Sequence, residues 1–251
     1  MRVSLLRPVA AFAALAVVAA VTPALTVAPA SAGGSYRLLK ADTEAGSVAM
    51  RWNPCQDAIT YVVNTRFARE RKHSKASART RARTEIIRAM NEVAAETGLP
   101  FEYAGTTSQI PTGDEWYDRQ GPGDELVIAY VDDAPAARSS LIDGAWGQGG
   151  QVYAYDGATV VIGRGFAVFD ADKAVRLRSG FGRGPRRGNL VLHELGHVVG
   201  LDHVSDKRQL MYSQLSSRTP DGFASGDQAG LRKLGAEAGC IDGASDFWPG
   251  S

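Results

Sequence analysis

His193-Glu194-Leu195-Gly196-His197-Val198-Val199-Gly200-Leu201-Asp202-His203 holds three of the chain's four histidines. On a helix, His193 and His197 are one turn apart, so their imidazoles share a face and can converge on one ion. Glu194 is rotated by one position and need not ligate; it can hold a water. Gly200 permits a positive φ, so the chain can leave the helix sharply. His203 can then return as a third nitrogen donor. Three neutral imidazoles with a fourth position open are the donor set of a catalytic zinc ion, whereas a structural zinc site fills all four positions. Zinc held there lowers the pKa of its water towards ~7 and polarises a carbonyl. Glu194 is placed to take the water's proton and pass it to the leaving amine. The pattern predicts one zinc ion and hydrolysis of a peptide bond without a covalent intermediate.

The run also fits the longer pattern H-E-x-x-H-x-x-G-x-x-H, and Met211 follows His203 within Leu210-Met211-Tyr212. On these residues the chain resembles the metzincin zinc proteases, and the Leu-Met-Tyr string is most similar to the matrixin branch. The resemblance implies an α+β zincin fold: a twisted, mixed, mostly parallel sheet with helices, an active-site helix, a Met-turn and a small C-terminal subdomain. It implies that Met211 supports the site from beneath without binding zinc. It implies that Tyr212, Ser213, Gln214 and Leu215 wall the S1′ pocket. It also implies an edge strand that pairs with extended substrate, for which Gly149, Gly150, Gln151, Val152 and Tyr153 are the candidates. Val204 and Ser213 depart from matrixins, which usually carry Ser and Pro there. The cysteine-switch motif is absent. A second, structural zinc needs several histidines, and only His73 remains. Asp170, Asp172 and the Asp143-Gly144 region offer oxygens to calcium, with plain solvation as the alternative, because nothing has EF-hand-like spacing.

Asn189 is a candidate cap for a helix over Leu190 to Val199, ended by Gly200. Ser225 to Ala238 reads as a second helix, with Leu231 and Leu234 on one face. Ile86, Ile87, Met90, Val93 and Ala94 predict an amphipathic helix over Thr80 to Thr97, stopped by Gly98 and Pro100. Strands are expected at Ile59 to Asn64, Phe101 to Tyr103, Glu125 to Val131, Gln151 to Tyr155 and Ala158 to Gly163. Arg183, Arg186 and Arg187 precede the active-site helix; they keep a Gly-rich loop soluble or shape substrate preference. Trp52 and Trp146 are buried or stack on substrate. The basic stretch Arg66 to Arg88 is a solvated face, with anion binding the alternative.

Arg2 and Arg7, the uncharged run from Val9 to Val21 and Ala30-Ser31-Ala32 read as a secretory signal peptide over 1–32, with a retained anchor the alternative. A short segment, 33–50, and a catalytic domain, 51–251, follow. Export favours oxidised thiols, so Cys55 and Cys240 are expected to pair; a free Cys55 is the alternative. The chain has 28 Lys+Arg against 27 Asp+Glu, which argues against a nucleic-acid partner. A hydrophobic content of 44% is too high for a disordered chain. Together these readings predict a secreted, monomeric zinc endopeptidase acting on peptides or proteins and free of the membrane after signal cleavage. The alternatives are a zinc amide hydrolase acting on cell-wall peptides and a non-catalytic exported binding protein on the same scaffold.

Overall fold

The computed structural model describes residues 35–113, 126–133, 138–142 and 144–244. Residues 1–32, read above as a signal peptide, together with Glu125 and Asp143, lie outside the described residues. Two short pieces come first: β1, Arg37–Leu38, and a hairpin of β2, Lys40–Thr43, with β3, Gly46–Ala49. The main sheet contains β4, Ile59–Asn64; β5, Phe101–Thr106; β6, Leu126–Val131; β7, Gly147–Asp156; and β8, Thr159–Asp170. Their order is β5-β4-β6-β8-β7. Every pairing is parallel except that of β7, which runs antiparallel to β8 along the edge. The mixed, mostly parallel α+β expectation therefore holds.

The sheet's sequences explain its burial. Successive side chains of a strand point to opposite faces. On β6, Leu126, Ile128 and Tyr130 join one core cluster, while Val127, Ala129 and Val131 join another. A strand buried on both faces needs the near-continuous apolar run that β6 has. The larger cluster lies under helix α1, Lys75–Thr97, and helix α3, Arg187–Val198, with the short α2, Ala171–Ala174, after β8. Helix α4, Ser225–Leu234, closes the fold. No helix among the described residues is long and apolar enough to cross a membrane.

Several boundaries differ from the sequence-based expectation. Helix α1 begins at Lys75, because the Ser74 hydroxyl accepts from the Ser77 N–H and starts the helix earlier. β7 and β8 are longer than expected because they pair along nearly their whole length. Helix α3 begins at Arg187, so Asn189 is not its cap. The fully buried Asn189 donates instead to the carbonyls of Gly182, Gly184 and Pro220, gathering the loop in front of the helix. Helix α4 stops at Leu234, and a single 3₁₀ turn covers Ala236–Ala238.

Arg187 is the clearest correction. It is 1% exposed and is not a solubilising loop residue. Its Nε donates to Glu85 of α1 at 2.6 Å and its Nη2 to Glu70 at 2.5 Å. A buried guanidinium is tolerated only with such partners, and here the pairing ties α3 to α1 and to the loop after β4. Arg183 is exposed, as expected. Trp52 is fully buried, and its indole N–H donates to the Val198 carbonyl at 3.0 Å.

Cys55 and Cys240 are disulfide-bonded across 185 residues of sequence. The crosslink removes a large loop-closure entropy from the unfolded chain. Replacing both cysteines with serine is expected to lower stability by about 2–5 kcal/mol. Calorimetry of the wild type with and without reductant, beside the double variant, checks this. An unchanged Tm would contradict it.

Candidate active site

Helix α3 presents His193 and His197, and backbone carbonyls aim both rings. His193 Nδ1 lies 2.8 Å from the Leu210 carbonyl, and His197 Nδ1 lies 2.8 Å from the Leu201 carbonyl. A carbonyl only accepts, so both Nδ1 atoms carry the proton and both Nε2 atoms keep a lone pair. Each Nε2 lies 3.1 Å from His203 Nε2. His203 can supply at most one proton there, so at least one pair of lone pairs meets head-on unless a cation lies between them. The spacing is close to the edge of a tetrahedron, about 3.3 Å for Zn–N bonds of about 2.0–2.1 Å. Among the described residues, His193, His197 and His203 form a group whose donor atoms can hold a metal ion.

The turn that returns His203 depends on Gly200, whose φ is +110° and whose missing Cβ would lie 2.5 Å from the Met50 carbonyl oxygen. Strand β9, Leu201–Asp202, then pairs antiparallel with β1. Leu39 N–H donates to the Gly200 carbonyl at 2.7 Å, and Arg37 pairs with Asp202 at 3.2 Å. Asp202 also accepts from the His203 N–H at 2.7 Å. The N-terminal segment thereby braces the loop that carries the third imidazole.

Burial keeps the imidazoles neutral. It is the largest cause holding His193 down to about 3 and His197 down to about 4, and it also lowers His203. Glu194 is buried beside them. Desolvation pushes its carboxyl from 4.5 up to about 7, against the opposing effect of the Gly149 N–H, which donates to Oε2 at 2.8 Å.

Met211 is buried beneath the helix, where a Cβ at Gly196 would lie 2.5 Å from its sulfur. Sequence reasoning missed what holds this turn. Asp227, fully buried on α4, accepts from the N–H groups of Leu210 at 2.7 Å, Met211 at 3.3 Å and Ala224 at 3.0 Å. Leu210 then receives the His193 proton on its carbonyl, so one carboxylate indirectly orients an imidazole. The only local signal was an acid in the first turn of a helix, which normally reads as an ordinary cap. Val204, where matrixins usually have Ser, is buried and donates its N–H to the Met211 carbonyl at 3.0 Å.

A cavity of about 580 Å³ opens on the histidines and Glu194. Ser213, Gln214 and Leu215 line it as expected. Tyr212 does not; its ring faces Lys207, with Nζ 5.6 Å from the ring centre. Gly149, Gly150, Gln151, Val152 and Tyr153 all lie on the edge strand β7, but the residues of that strand that line the cavity are Gly147 and Gln148. Trp146, 41% exposed, stands at the cavity's mouth, while Leu177, Pro185 and Leu190 add apolar wall. The calcium candidates have internal partners. Asp170 caps α2 and pairs with Lys173 at 2.8 Å, while Asp172 pairs with Arg69, which also holds Asp132.

Substituting Asp227 with Ala leaves buried N–H groups at Leu210 and Met211 without an acceptor. The expected loss is about 2–4 kcal/mol, measured as a shift in the urea midpoint. A change below about 0.5 kcal/mol would show that the turn holds itself.

Comparison with known proteins agrees with this geometry. The chain is 33% identical over 97 residues to Metalloendoproteinase 1 of Glycine max, across 34% of this chain and 32% of that protein. It thus spans about a third of the length of the curated relative it matches. The matrixin family model matches residues 51–234, from just before the disulfide's first cysteine to the end of α4. That match contains the whole sheet, the three histidines and the Met-turn, and by it this chain belongs to the matrixin family.

Proposed function

We propose that this protein is an exported zinc endopeptidase that cleaves peptides or proteins bound in extended form along β7. The observation that carries the proposal is the meeting of three Nε2 atoms beside a buried carboxylate. His193, His197 and His203 would hold a zinc ion, which would supply Lewis acidity for acidifying water and polarising the scissile carbonyl. Glu194 takes a proton from the attacking water as its oxygen bonds to the carbonyl carbon. The same carboxyl then protonates the nitrogen as the C–N bond breaks, so the proton leaves with the amine. Gly149 holds Glu194 in place through its N–H. Leu177, Pro185, Leu190 and Leu215 favour an apolar side chain in the cavity. Export rests on the leader read at 1–32.

Replacing Glu194 with Ala is expected to lower kcat/KM by about 10²–10⁴-fold while leaving bound zinc unchanged. Chelation should abolish cleavage of a peptide library, and zinc should restore it where calcium alone does not. Cleavage by Glu194→Ala at the wild-type rate would exclude the mechanism. A chelator-insensitive wild type would exclude the metal.

The histidine environment sets the pH range of metal binding. Neutral imidazole is the form that binds zinc, and burial holds His193 and His197 at about 3 and about 4. Protons therefore compete only well below the ordinary imidazole value near 6.5. Zinc per protein after dialysis should stay level from pH 8 to about 5 and fall below that. A loss centred near 6.5 would contradict the burial argument.

A further inference from the structure

A second depression, about 320 Å³, opens beside the cleft. Its rim combines the loop Glu70 to His73, ahead of α1, with Val175 to Ser179, after α2. Leu177 lines both this depression and the cavity at the histidines, so the two are neighbours across one side chain. Arg71, Lys72, Arg176 and Arg178 are exposed on the rim. Among the described residues none of the four forms an ion pair.

Among the described residues the rim has one acid, and it does not neutralise them. Glu70 is largely buried and is engaged by Arg187 Nη2 at 2.5 Å and Arg81 Nε at 3.1 Å. Four exposed cations from two separate loops therefore face one hollow in a chain whose formal charge is only +1. Such a grouping repels itself and concentrates anions locally. This absorbs part of the basic stretch between Arg66 and Arg88, which the hydrolytic machinery does not use.

We propose that this depression is an exosite for an acidic segment of a protein substrate; the choice of substrate class rests on the peptidase reading above. The segment lies on the side of the cleaved bond whose residue enters the apolar cavity, because Leu177 separates the two hollows. An extended chain advances about 3.3 Å per residue, so the acidic residues sit a few positions beyond that apolar side chain. A protein segment fits better than a long polyanion, since polyanion binders carry broad basic surfaces and usually an overall basic excess.

Two fluorogenic peptides test this, identical except for a tail of four Glu or four Gln beyond the apolar residue. At low salt the Glu tail should raise kcat/KM about 5–10-fold, mainly through KM, as expected for several weak surface pairs. The advantage should vanish in the double variant Arg176→Glu/Arg178→Glu and in 0.5 M NaCl, where screening is strong. Cleavage of the Gln peptide by that variant should be unchanged, which separates loss of the exosite from misfolding.

A second arm reads binding alone: fluorescence anisotropy of the labelled Glu-tailed and Gln-tailed peptides on Glu194→Ala protein, with and without the charge reversals. If neither peptide is cleaved by the wild type, the peptidase reading fails and this arm still decides the exosite. Tighter binding of the Glu peptide, lost on charge reversal, supports it. Equal kcat/KM for both tails together with equal binding would overturn it. So would charge-reversal-sensitive binding of long-chain polyphosphate without any preference between the two peptides.

Discussion

Two hydrogen bonds, from the Nδ1 protons of His193 and His197 to the carbonyls of Leu210 and Leu201, give three histidines an arrangement that can hold a metal ion. They choose the tautomer and turn both Nε2 lone pairs towards His203 Nε2, which can supply a proton to at most one of them. Both acceptors lie outside helix α3, so the imidazoles are correct only if two other segments are correct. Leu201 is placed by the Gly200 turn and by its pairing with β1. Leu210 is placed by Asp227 from the far side of the turn. The site is therefore a product of the fold rather than of the helix that carries most of its residues.

Holding α3 against the sheet requires buried charge, and the chain arranges it in pairs and networks. Arg187 begins the helix inside the protein, with Glu70 and Glu85 as its counter-ions. Asn189, two residues into the helix, ties the preceding loop and Pro220 to it through the carbonyls of Gly182, Gly184 and Pro220. Glu194 is the contrasting case. Its surroundings offer one backbone N–H and little solvent, which raises its proton affinity towards neutrality. A carboxyl in that condition is suited to exchange a proton near pH 7, whereas the acids around Arg187 are committed to structure. The same residue type thus serves two ends according to its neighbours.

Much of this was legible in the sequence. The spacing of His193, His197, Gly200 and His203 encodes a local geometry: one helical turn, then one left-handed turn. The strands and α1 were visible because apolar periodicity, or for β6 a continuous apolar run, reports which residues face the core. Ser213, Gln214 and Leu215, which follow Met211 closely in the chain, line the cavity at the histidines. Tyr212, in the same run, does not, since alternate residues of an irregular loop face opposite ways and sequence proximity does not say which. Gly149 to Tyr153 lie on β7, while its residues lining the cavity are Gly147 and Gln148, because a strand's register against a neighbouring helix is a long-range property.

Arg187, Asn189 and Asp227 mark the boundary. Each is polar, and from sequence each reads as a loop charge or a helix cap. Their roles depend on groups far away in the chain: Glu85 for Arg187, Pro220 for Asn189, and the Leu210 and Met211 amides for Asp227. The sequence by itself determined that three histidines and an acid share one short stretch able to converge, because that follows from i, i+4 spacing and the Gly200 turn. The α+β class came from the resemblance that this stretch carries, and the apolar patterns of the strands and helices agree with it. Only the tertiary structure decided which polar residues are buried, which side of the cleft is apolar, and that two basic loops meet beside it. Burial and charge proximity depend on three-dimensional packing, and no local pattern carries that information.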